Sequence, residues 1–330
     1  MKRRSVIFTA PSSVAVRDEE LPPPGAAQAL VQTELSAISA GTEMLVYRGQ
    51  TPTGMAVDAT IAALGGEFAY PLKYGYAAVG RVIGLGPDVD LSWLGRAVFA
   101  FNPHESHFVA PVESLLPLPE GIDPAAAVFL PNVETAVSLL MDGRPVIGER
   151  VVVVGQGVVG LLTTALLAEM PLVALTAVDP FAERRQRAER LGATALSPEV
   201  AAAELGATAD LTYELSGNPR GLDLAVALTG DYGRVIIGSW YGSKPVALDL
   251  GGRFHRAHMR LIGTQVSNMA PEWRGRWTKE RRLDVAWEMI RRHRPQQLIT
   301  HRLPLARAAE AYRLLDEQPQ LAVQIVLTYT

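Results

Sequence analysis

Three glycines, Gly155, Gly157 and Gly160, form the pattern G-x-G-x-x-G directly after a run of valines. The run Arg150–Val154 predicts a strand buried on both faces, and the apolar stretch after the glycines predicts a helix. In that setting the first glycine permits a tight turn, the second leaves room for a diphosphate, and the third lets helix and strand pack closely. The pattern therefore predicts that a dinucleotide binds to the loop Gly155, Gln156, Gly157, Val158, Val159 and Gly160.

An acidic residue follows this loop at a matching distance. Asp179 ends a second predicted strand, Leu172–Val178, and comes 19 residues after Gly160. A carboxylate at that place binds both hydroxyls of the adenosine ribose and repels a 2′-phosphate, so Asp179 favours NAD, with NADP left open. Arg184 and Arg185 follow closely; they either approach the nucleotide and weaken that preference or lie on the solvated face of a helix, Ala182–Leu191.

Composition limits the remaining classes of function. A chain of 330 residues suggests about two domains, and a net charge of −3 gives no reason to expect nucleic acid or an anionic membrane as a partner. The absence of cysteine excludes disulfides and thiolate-bound zinc. No apolar run has the length of a membrane span, and Met1–Ser5 does not begin a signal peptide, so we expect a cytoplasmic protein. The pairs Arg281–Arg282 and Arg291–Arg292 predict a solvated helix face.

Two patterns of secondary structure divide the chain. The first part has short strands separated by turns, which predict an antiparallel, barrel-like domain; they are Ser5–Ala10, Val14–Arg17, Gln28–Ser36, Val79–Leu85, Arg96–Phe101 and Glu105–Pro111. Asp123 is the predicted N-cap of a helix that extends to Leu140. From Arg150 strands and helices alternate up to a last strand, Arg260–Val266, which predicts a doubly wound parallel sheet.

Several segments resemble, in the same order, motifs of the medium-chain dehydrogenase/reductase superfamily, the relatives of the zinc alcohol dehydrogenases. They are Ser39–Glu43, Tyr74–Val82, Leu115–Gly121, Val151–Gly160, Arg234–Gly238 and Leu298–Pro304. The resemblance covers almost the whole chain. It implies an α/β fold with a GroES-like antiparallel β-barrel catalytic domain, residues 1–120 and 268–330, and a doubly wound Rossmann domain with a parallel sheet, residues 121–267. It also implies hydride transfer between NAD(P) and a small alcohol or carbonyl substrate, and a homodimer.

The chain differs from that superfamily at the zinc ligands. Ala40 stands at the position of the catalytic cysteine, Tyr76 at that of the histidine and Ala77 at that of the glutamate. The four-cysteine lobe for structural zinc is missing as well. The resemblance therefore implies a zinc-free branch, with some likeness to the bacteriochlorophyllide hydroxyethyl dehydrogenases in Gly41–Glu43 and in the glycine loop.

Without a metal, hydrogen-bond donors must stabilise the alkoxide and an acid–base group must move its proton. Thr42 matches the hydroxyl of the superfamily's proton relay, and Tyr76 projects toward the same place. Glu134 is a candidate base or a structural cap. His104 lies on the short segment that replaces the zinc lobe, where it either lines the site or has a structural role. The predicted catalytic residues are thus Thr42, Tyr76, Glu134 and His104.

The resemblance also implies contacts with the nicotinamide half of the coenzyme. They involve Thr135, Gly238, Ser239 and Trp240, together with Thr264 and Val266 on the last predicted strand. Ser216 ends the strand before the ribose pocket and is a further predicted coenzyme residue. Two other functions stay open, an NADPH-dependent quinone or enoyl reductase and a nucleotide-binding protein without catalytic activity. Met55–Leu64 predicts a helix over an apolar substrate pocket. Asn268–Lys279 is an aromatic and basic stretch that is expected to bind an acidic or aromatic substrate or a second subunit.

Overall fold

The structure is a computed structural model that describes residues 1–58, 60–61 and 63–329. The chain forms two compact units, Met1–Pro131 with Ile290–Thr330, and Asn132–Met289. The boundaries expected from the sequence are 120/121 and 267/268. Residues 121–131 therefore stand with the first unit, and residues 268–289 with the second.

The elements of the described residues have the following bounds. The strands are β1 Lys2–Ala10, β2 Ser13–Glu20, β3 Gln28–Ala37, β4 Ala78–Leu85, β5 Ala97–Ala100, β6 His107–Pro111, β7 Leu116–Pro117, β8 Arg150–Val154, β9 Ala174–Val178, β10 Thr194–Leu196, β11 Ala209–Glu214, β12 Thr229–Ile237, β13 Arg260–Gly263, β14 Ile299–Pro304 and β15 Gln324–Thr328. The helices are α1 Ala40–Tyr47, α2 Pro124–Ala127, α3 Leu130–Gly143, α4 Val158–Leu167, α5 Ala182–Arg190, α6 Pro198–Glu204, α7 Pro219–Leu228, α8 Lys279–His293 and α9 Ala308–Glu317. In the part of the chain that is described, no helix combines the length and the apolar character needed to cross a membrane.

The first unit contains a sheet of order β14-β15-β3-β4-β5-β7, with β6 also paired to β3. Its pairs are antiparallel except for β14 and β15. Val31, Val82, Val98 and Phe108 of this sheet are buried in one apolar core. A separate antiparallel hairpin, β1–β2, places Val6 and Phe8 in a second apolar core with residues of α1 and α9. The predicted antiparallel β domain is confirmed.

The second unit is built on a sheet of order β10-β9-β8-β11-β12-β13, in which every pair is parallel. The four valines of β8, Val151–Val154, are each at most 4% exposed because their strand lies inside the sheet and both of its faces are covered. This confirms the predicted doubly wound sheet. Since parallel strands point the same way, the carboxyl ends of β8, β9, β11 and β12 lie along one edge, where such sheets bind ligands.

Some elements differ from the prediction. Asp123 is an N-cap, as predicted, and its Oδ1 accepts from the Ala125 amide at 2.7 Å, but the helix expected as far as Leu140 is divided into α2 and α3. The strand expected to reach Val266 ends at Gly263, so Thr264 and Val266 lie beyond it. The reason is that the neighbouring strand β12 ends at Ile237, whose carbonyl pairs with the Thr264 amide as the last bond.

The helix expected at Met55–Leu64 is not present among its described residues, while residues 59 and 62 lie outside the described part. The Val57 amide donates to the Gly66 carbonyl at 2.9 Å, which folds this segment back on itself. Val57 and Leu64 are consequently buried in the core of the first unit, near Tyr74. Their burial explains the apolar composition without a substrate pocket.

Candidate functional site

The three loop glycines of the second unit have different surroundings. Gly155 has a φ of +94°, and a Cβ there would lie 2.6 Å from the Ser216 backbone. A Cβ on Gly160 would lie 1.9 Å from the Gly155 oxygen. At Gly157, the residue before α4, a Cβ would meet no protein atom within 4 Å. The fold itself therefore requires the first and third glycines, and the open space at the second fits the diphosphate of a dinucleotide.

Asp179 is fixed beside this loop. Its Oδ2 accepts from the Gln156 amide at 2.7 Å and its Oδ1 from the Phe181 amide at 2.9 Å. The Gln156 side chain turns inward, where it bonds the Val153 carbonyl and the Thr164 hydroxyl, so only its backbone faces the loop. The two amides hold the carboxylate in one orientation at the end of β9, the position that binds ribose hydroxyls in this class of sheet.

Arg184 is not on a solvated helix face. Its Nη1 lies 3.9 Å from Asp179 Oδ2, and its guanidinium lies over the Phe181 ring at 5.0 Å. Burial lowers the pKa of Arg184, and the Asp179 carboxylate opposes that shift. The structure thus groups Arg184 with Asp179, and a contact of this pair with the ribose of a dinucleotide stays a prediction.

The loops after β11 and β12 are joined by a polar network. The Gly217 amide donates to Ser239 Oγ at 2.8 Å. The buried Glu214 carboxylate accepts from the Ser216 amide at 2.8 Å and from the Tyr241 hydroxyl. A Cβ on Gly238, the residue that follows β12, would lie 2.5 Å from the Leu215 side chain, which explains why this position is a glycine. Ser216, Gly238 and Ser239 therefore come together at the same sheet edge.

The remaining predicted nicotinamide residues have structural contacts of their own. The Thr264 hydroxyl donates to Asp142 of α3, and the Val266 carbonyl accepts from Arg282 at 2.6 Å. Trp240 follows Ser239 after β12, and Thr135 lies within α3. Their contacts with a coenzyme stay a prediction.

In the first unit three hydroxyls meet at the start of α1. The Tyr76 hydroxyl oxygen lies 2.5 Å from Ser39 Oγ and 3.2 Å from Thr42 Oγ1. All three side chains are half-buried. Burial raises the pKa of Tyr76 above its usual value near 10, and the bonds to Ser39 and Thr42 partly offset this. We call Ser39, Thr42 and Tyr76 the hydroxyl cluster; Thr42 and Tyr76 were predicted to lie together.

A fully buried network supports the cluster from within the first unit. Glu43 Oε1 accepts from the Ser39 amide at 2.7 Å, and its Oε2 accepts from the Tyr312 hydroxyl at 2.5 Å. His104 is 0% exposed and bridges Glu43 Oε2, 3.0 Å from its Nε2, and Ser36 Oγ, 2.6 Å from its Nδ1. Both ring nitrogens are engaged inside the protein, so His104 holds the network and does not face a substrate.

Glu134 is likewise occupied within the second unit. Its Oε1 accepts from Arg282 Nε at 3.1 Å and from Arg282 Nη2 at 2.8 Å, and both side chains are almost fully buried. Arg282 also donates to Ser138 Oγ at 2.8 Å. The ion pair gives Glu134 a structural role, and it places Arg282 in the interior, not on the solvated face predicted from its arginine neighbour.

The donor set around the hydroxyl cluster is poor in metal ligands. Neither Ala40 nor Ala77 can ligate a metal. Within the ranges that the structure describes, no group of three or more His, Asp or Glu side chains could hold an ion.

Comparison with known proteins identifies relatives along the whole chain. No family model matches. The chain is 24% identical over 338 residues to the zinc-type alcohol dehydrogenase-like protein YphC of Escherichia coli K12, covering 92% of this chain and 93% of the relative. It is 26% identical over 350 residues to the 2-desacetyl-2-hydroxyethyl bacteriochlorophyllide A dehydrogenase of Cereibacter sphaeroides, covering 99% and 98%. The alcohol dehydrogenase RspB of Escherichia coli CFT073, solved with NADH, has the same fold, with a TM-score of 0.78, 18% identity and 99% coverage of both chains.

Along its whole length the chain is similar to zinc-type alcohol dehydrogenase-like proteins, which agrees with the resemblance to the medium-chain dehydrogenase/reductase superfamily. The predicted fold, with its GroES-like and Rossmann parts, is confirmed.

One residue of the hydroxyl cluster was missed by sequence reasoning. Ser39 was noted only as the first residue of the segment Ser39–Glu43 and was given no chemical role. In the structure its side chain makes no capping bond and instead contacts Tyr76. Glu43, inside the helix, accepts a hydrogen bond from the Ser39 backbone amide through its Oε1. A Glu four residues after the serine was the available clue.

The open space at Gly157 gives a test of the coenzyme loop. Gly157 has a φ of −71°, which alanine also adopts, so Gly157→Ala is expected to leave the thermal midpoint unchanged. The added methyl would occupy the diphosphate position and weaken NADH binding by about 1–3 kcal/mol, which is roughly 5- to 150-fold. Calorimetric titration with NADH measures this. As a control, Gly160→Ala is expected to lower the thermal midpoint, because its Cβ overlaps the Gly155 oxygen. Wild-type NADH affinity in Gly157→Ala would contradict the assignment.

Proposed function

We propose that the protein is a zinc-independent, NAD(H)-dependent oxidoreductase that interconverts a secondary alcohol and a ketone by hydride transfer. The observation that carries the proposal is the hydroxyl cluster. It lies at positions that resemble the zinc site of alcohol dehydrogenases, and two of the corresponding ligand positions are alanines. The names of the relatives support a dehydrogenase that acts on alcohols.

The second unit would hold the coenzyme. The Gly155–Gly160 loop and the amino end of α4 would receive the diphosphate, and Asp179 the adenosine ribose. The Asp179 carboxylate disfavours the 2′-phosphate of NADP, which supports NAD, while the neighbouring Arg184 guanidinium weakens that preference. Bound there, the nicotinamide supplies the hydride or accepts it.

The hydroxyl cluster would handle the proton and the oxygen. Because burial raises the pKa of Tyr76, its phenol is protonated at neutral pH and can donate to a carbonyl oxygen. The phenol proton given to the substrate is replaced from water: Ser39 or Thr42, both partly exposed, passes its own proton to the phenol oxygen and takes one up from the solvent. Glu43 orients this relay through the Ser39 amide, and the network with His104 and Tyr312 keeps Glu43 in place.

The proposal is tested by turnover with and without metal. We expect purified protein, dialysed against a strong chelator and analysed for zinc by mass spectrometry, to reduce members of a ketone panel with NADH at its full rate. NADPH should support a lower kcat/KM. Activity that vanishes with the chelator and returns with zinc would overturn zinc independence. NADH binding without turnover on any ketone, quinone or secondary alcohol would indicate a nucleotide-binding protein instead.

A further inference from the structure

A strongly basic segment of the second unit has no role in the proposed chemistry. Residues 267–282 contain five arginine or lysine residues and only two glutamates. One of these, Glu272, is paired with Arg144 at 2.5 Å. Two of the arginines lie over indole rings, Arg276 over Trp273 at 5.9 Å and Arg281 over Trp277 at 4.1 Å. The segment thus combines an excess of positive charge with flat aromatic surfaces.

An open pocket lies within this segment, at the beginning of α8. Its wall includes Arg274, Lys279 and Arg282, together with Trp277, Thr278 and Ser267. Among the described residues that form the wall there is no carboxylate. Arg282 is paired with Glu134 behind the wall, and Lys279 also acts on the Glu134 charge, so the charge available to a ligand is that of Arg274.

Arg274 is positioned for an anion. Its Nε donates to the Met269 carbonyl at 3.1 Å, which anchors the guanidinium to the backbone. Across the ranges covered by the structure, no carboxylate forms a salt bridge with Arg274. Its terminal amino groups are therefore donors of the kind that bind carboxylate and phosphate oxygens in pairs.

The amino end of α8 also favours an anion. α8 has 15 residues, so its amino end carries the positive end of the helix dipole, which Glu280 in the first turn partly offsets. The Thr278 hydroxyl accepts the Arg281 amide at 3.2 Å, which caps this end in the manner of an N-cap side chain. Trp277 in the same wall, stacked from one side by Arg281, offers an indole as an apolar contact surface.

We propose that this pocket binds a small ligand that carries an oxyanion, a carboxylate or a phosphate, on a planar apolar group. Arg274 and the start of α8 hold the oxyanion, and Trp277 contacts the planar group. The oxidoreductase proposal does not require such a site. The pocket begins at Ser267, directly after Val266 of the predicted nicotinamide contact, so the ligand is either the substrate or a separate anion.

Calorimetric titration of the full chain without coenzyme tests the pocket. The probes are benzoate and phenyl phosphate, with benzamide as the neutral isostere of benzoate. We expect saturable binding of one or both anions and none of benzamide. Arg274→Gln is expected to weaken anion binding about tenfold or more, since a charge-assisted bond is lost. Arg276→Gln is the matched control, because Arg276 lies over Trp273 and does not line the pocket.

The outcomes separate this proposal from the proposed function. NADH affinity is expected to be equal in the wild type and both variants. If no anion binds to the pocket but NADH still binds, only the pocket proposal fails and the proposed function stands. Repeating the anion titration with saturating NAD⁺ assigns the ligand: a changed affinity indicates a substrate, and an unchanged one a separate effector. Binding of benzamide equal to that of benzoate, no binding of either anion, or equal losses in Arg274→Gln and Arg276→Gln would overturn the proposal.

Discussion

Replacing Tyr76 by phenylalanine is expected to lower kcat/KM for ketone reduction by about 10²- to 10⁴-fold, the usual contribution of a general acid. The change removes only the phenol oxygen, which lies 2.5 Å from Ser39 Oγ and 3.2 Å from Thr42 Oγ1, and leaves the ring in place. NADH affinity is expected to stay at the wild-type value, since the residues proposed for the coenzyme belong to the other unit. Steady-state kinetics on the best ketone of the panel, with NADH titrations, measure both quantities.

Tyr74→Phe is the matched control for this loss. The two rings are neighbours, with centroids 6.2 Å apart, but Tyr74 is buried in the core and is not part of the hydroxyl cluster. Its variant is expected to retain most of the activity. Ser39→Ala and Thr42→Ala should each lower kcat/KM less than Tyr76→Phe does. The hydroxyl that remains in each variant can still pass a proton to the phenol oxygen. Equal losses of activity in Tyr74→Phe and Tyr76→Phe would show that Tyr76 acts through packing and not as a proton donor.

The pH dependence follows from the raised pKa of Tyr76. Reduction uses the protonated phenol, which prevails throughout the neutral range, so its kcat/KM should be flat between about pH 6 and 9. Oxidation uses the deprotonated phenol, whose fraction grows with pH, so its kcat/KM should rise about tenfold per pH unit over the same range. An oxidation rate that levels off near neutral pH would show that another group is the base.

The coenzyme loop could be predicted because its signals are local. Gly155 has a positive φ, and a Cβ on Gly160 would overlap the Gly155 oxygen five residues earlier, while Asp179 follows at the distance expected for a dinucleotide loop. Strand patterns were equally readable, since the buried valines of β8 reflect a strand covered on both faces. Thr42 and Tyr76 were brought together only through the resemblance to a known superfamily.

Contacts between distant parts of the chain could not be read in this way. His104 looked accessible from its neighbours in sequence, but Ser36 and Glu43, far from it in the chain, enclose both of its nitrogens. Ser39 was given no role, because its contact with Tyr76 joins residues that are 37 positions apart in the chain. Arg282 looked like a surface residue beside Arg281, and nothing local to either partner indicated its pairing with Glu134.

Removing the carboxylate of Glu134 is expected to be among the most destabilising single changes in the second unit. Glu134→Ala leaves the Arg282 guanidinium buried with only Ser138 and the Val266 carbonyl as partners. An uncompensated buried charge of this kind costs about 3–5 kcal/mol. Calorimetric and urea unfolding of the variant measure the loss. An unchanged stability with activity abolished would instead restore Glu134 as the catalytic base.

The double variant Glu134→Leu with Arg282→Met measures what the whole ion pair contributes to stability. The single variant Glu134→Ala measures instead the cost of leaving Arg282 buried without its carboxylate. Burial raises the pKa of Glu134 in spite of the neighbouring Arg282, so desolvation of the carboxylate outweighs the attraction between the two groups. Such a pair contributes little compared with apolar side chains of similar size, and removing both charges is expected to restore stability to within about 1 kcal/mol of the wild type. If the double variant is as unstable as Glu134→Ala, the hydrogen bonds that Arg282 makes to Ser138 and Val266, and not charge balance, hold α3 and α8 together.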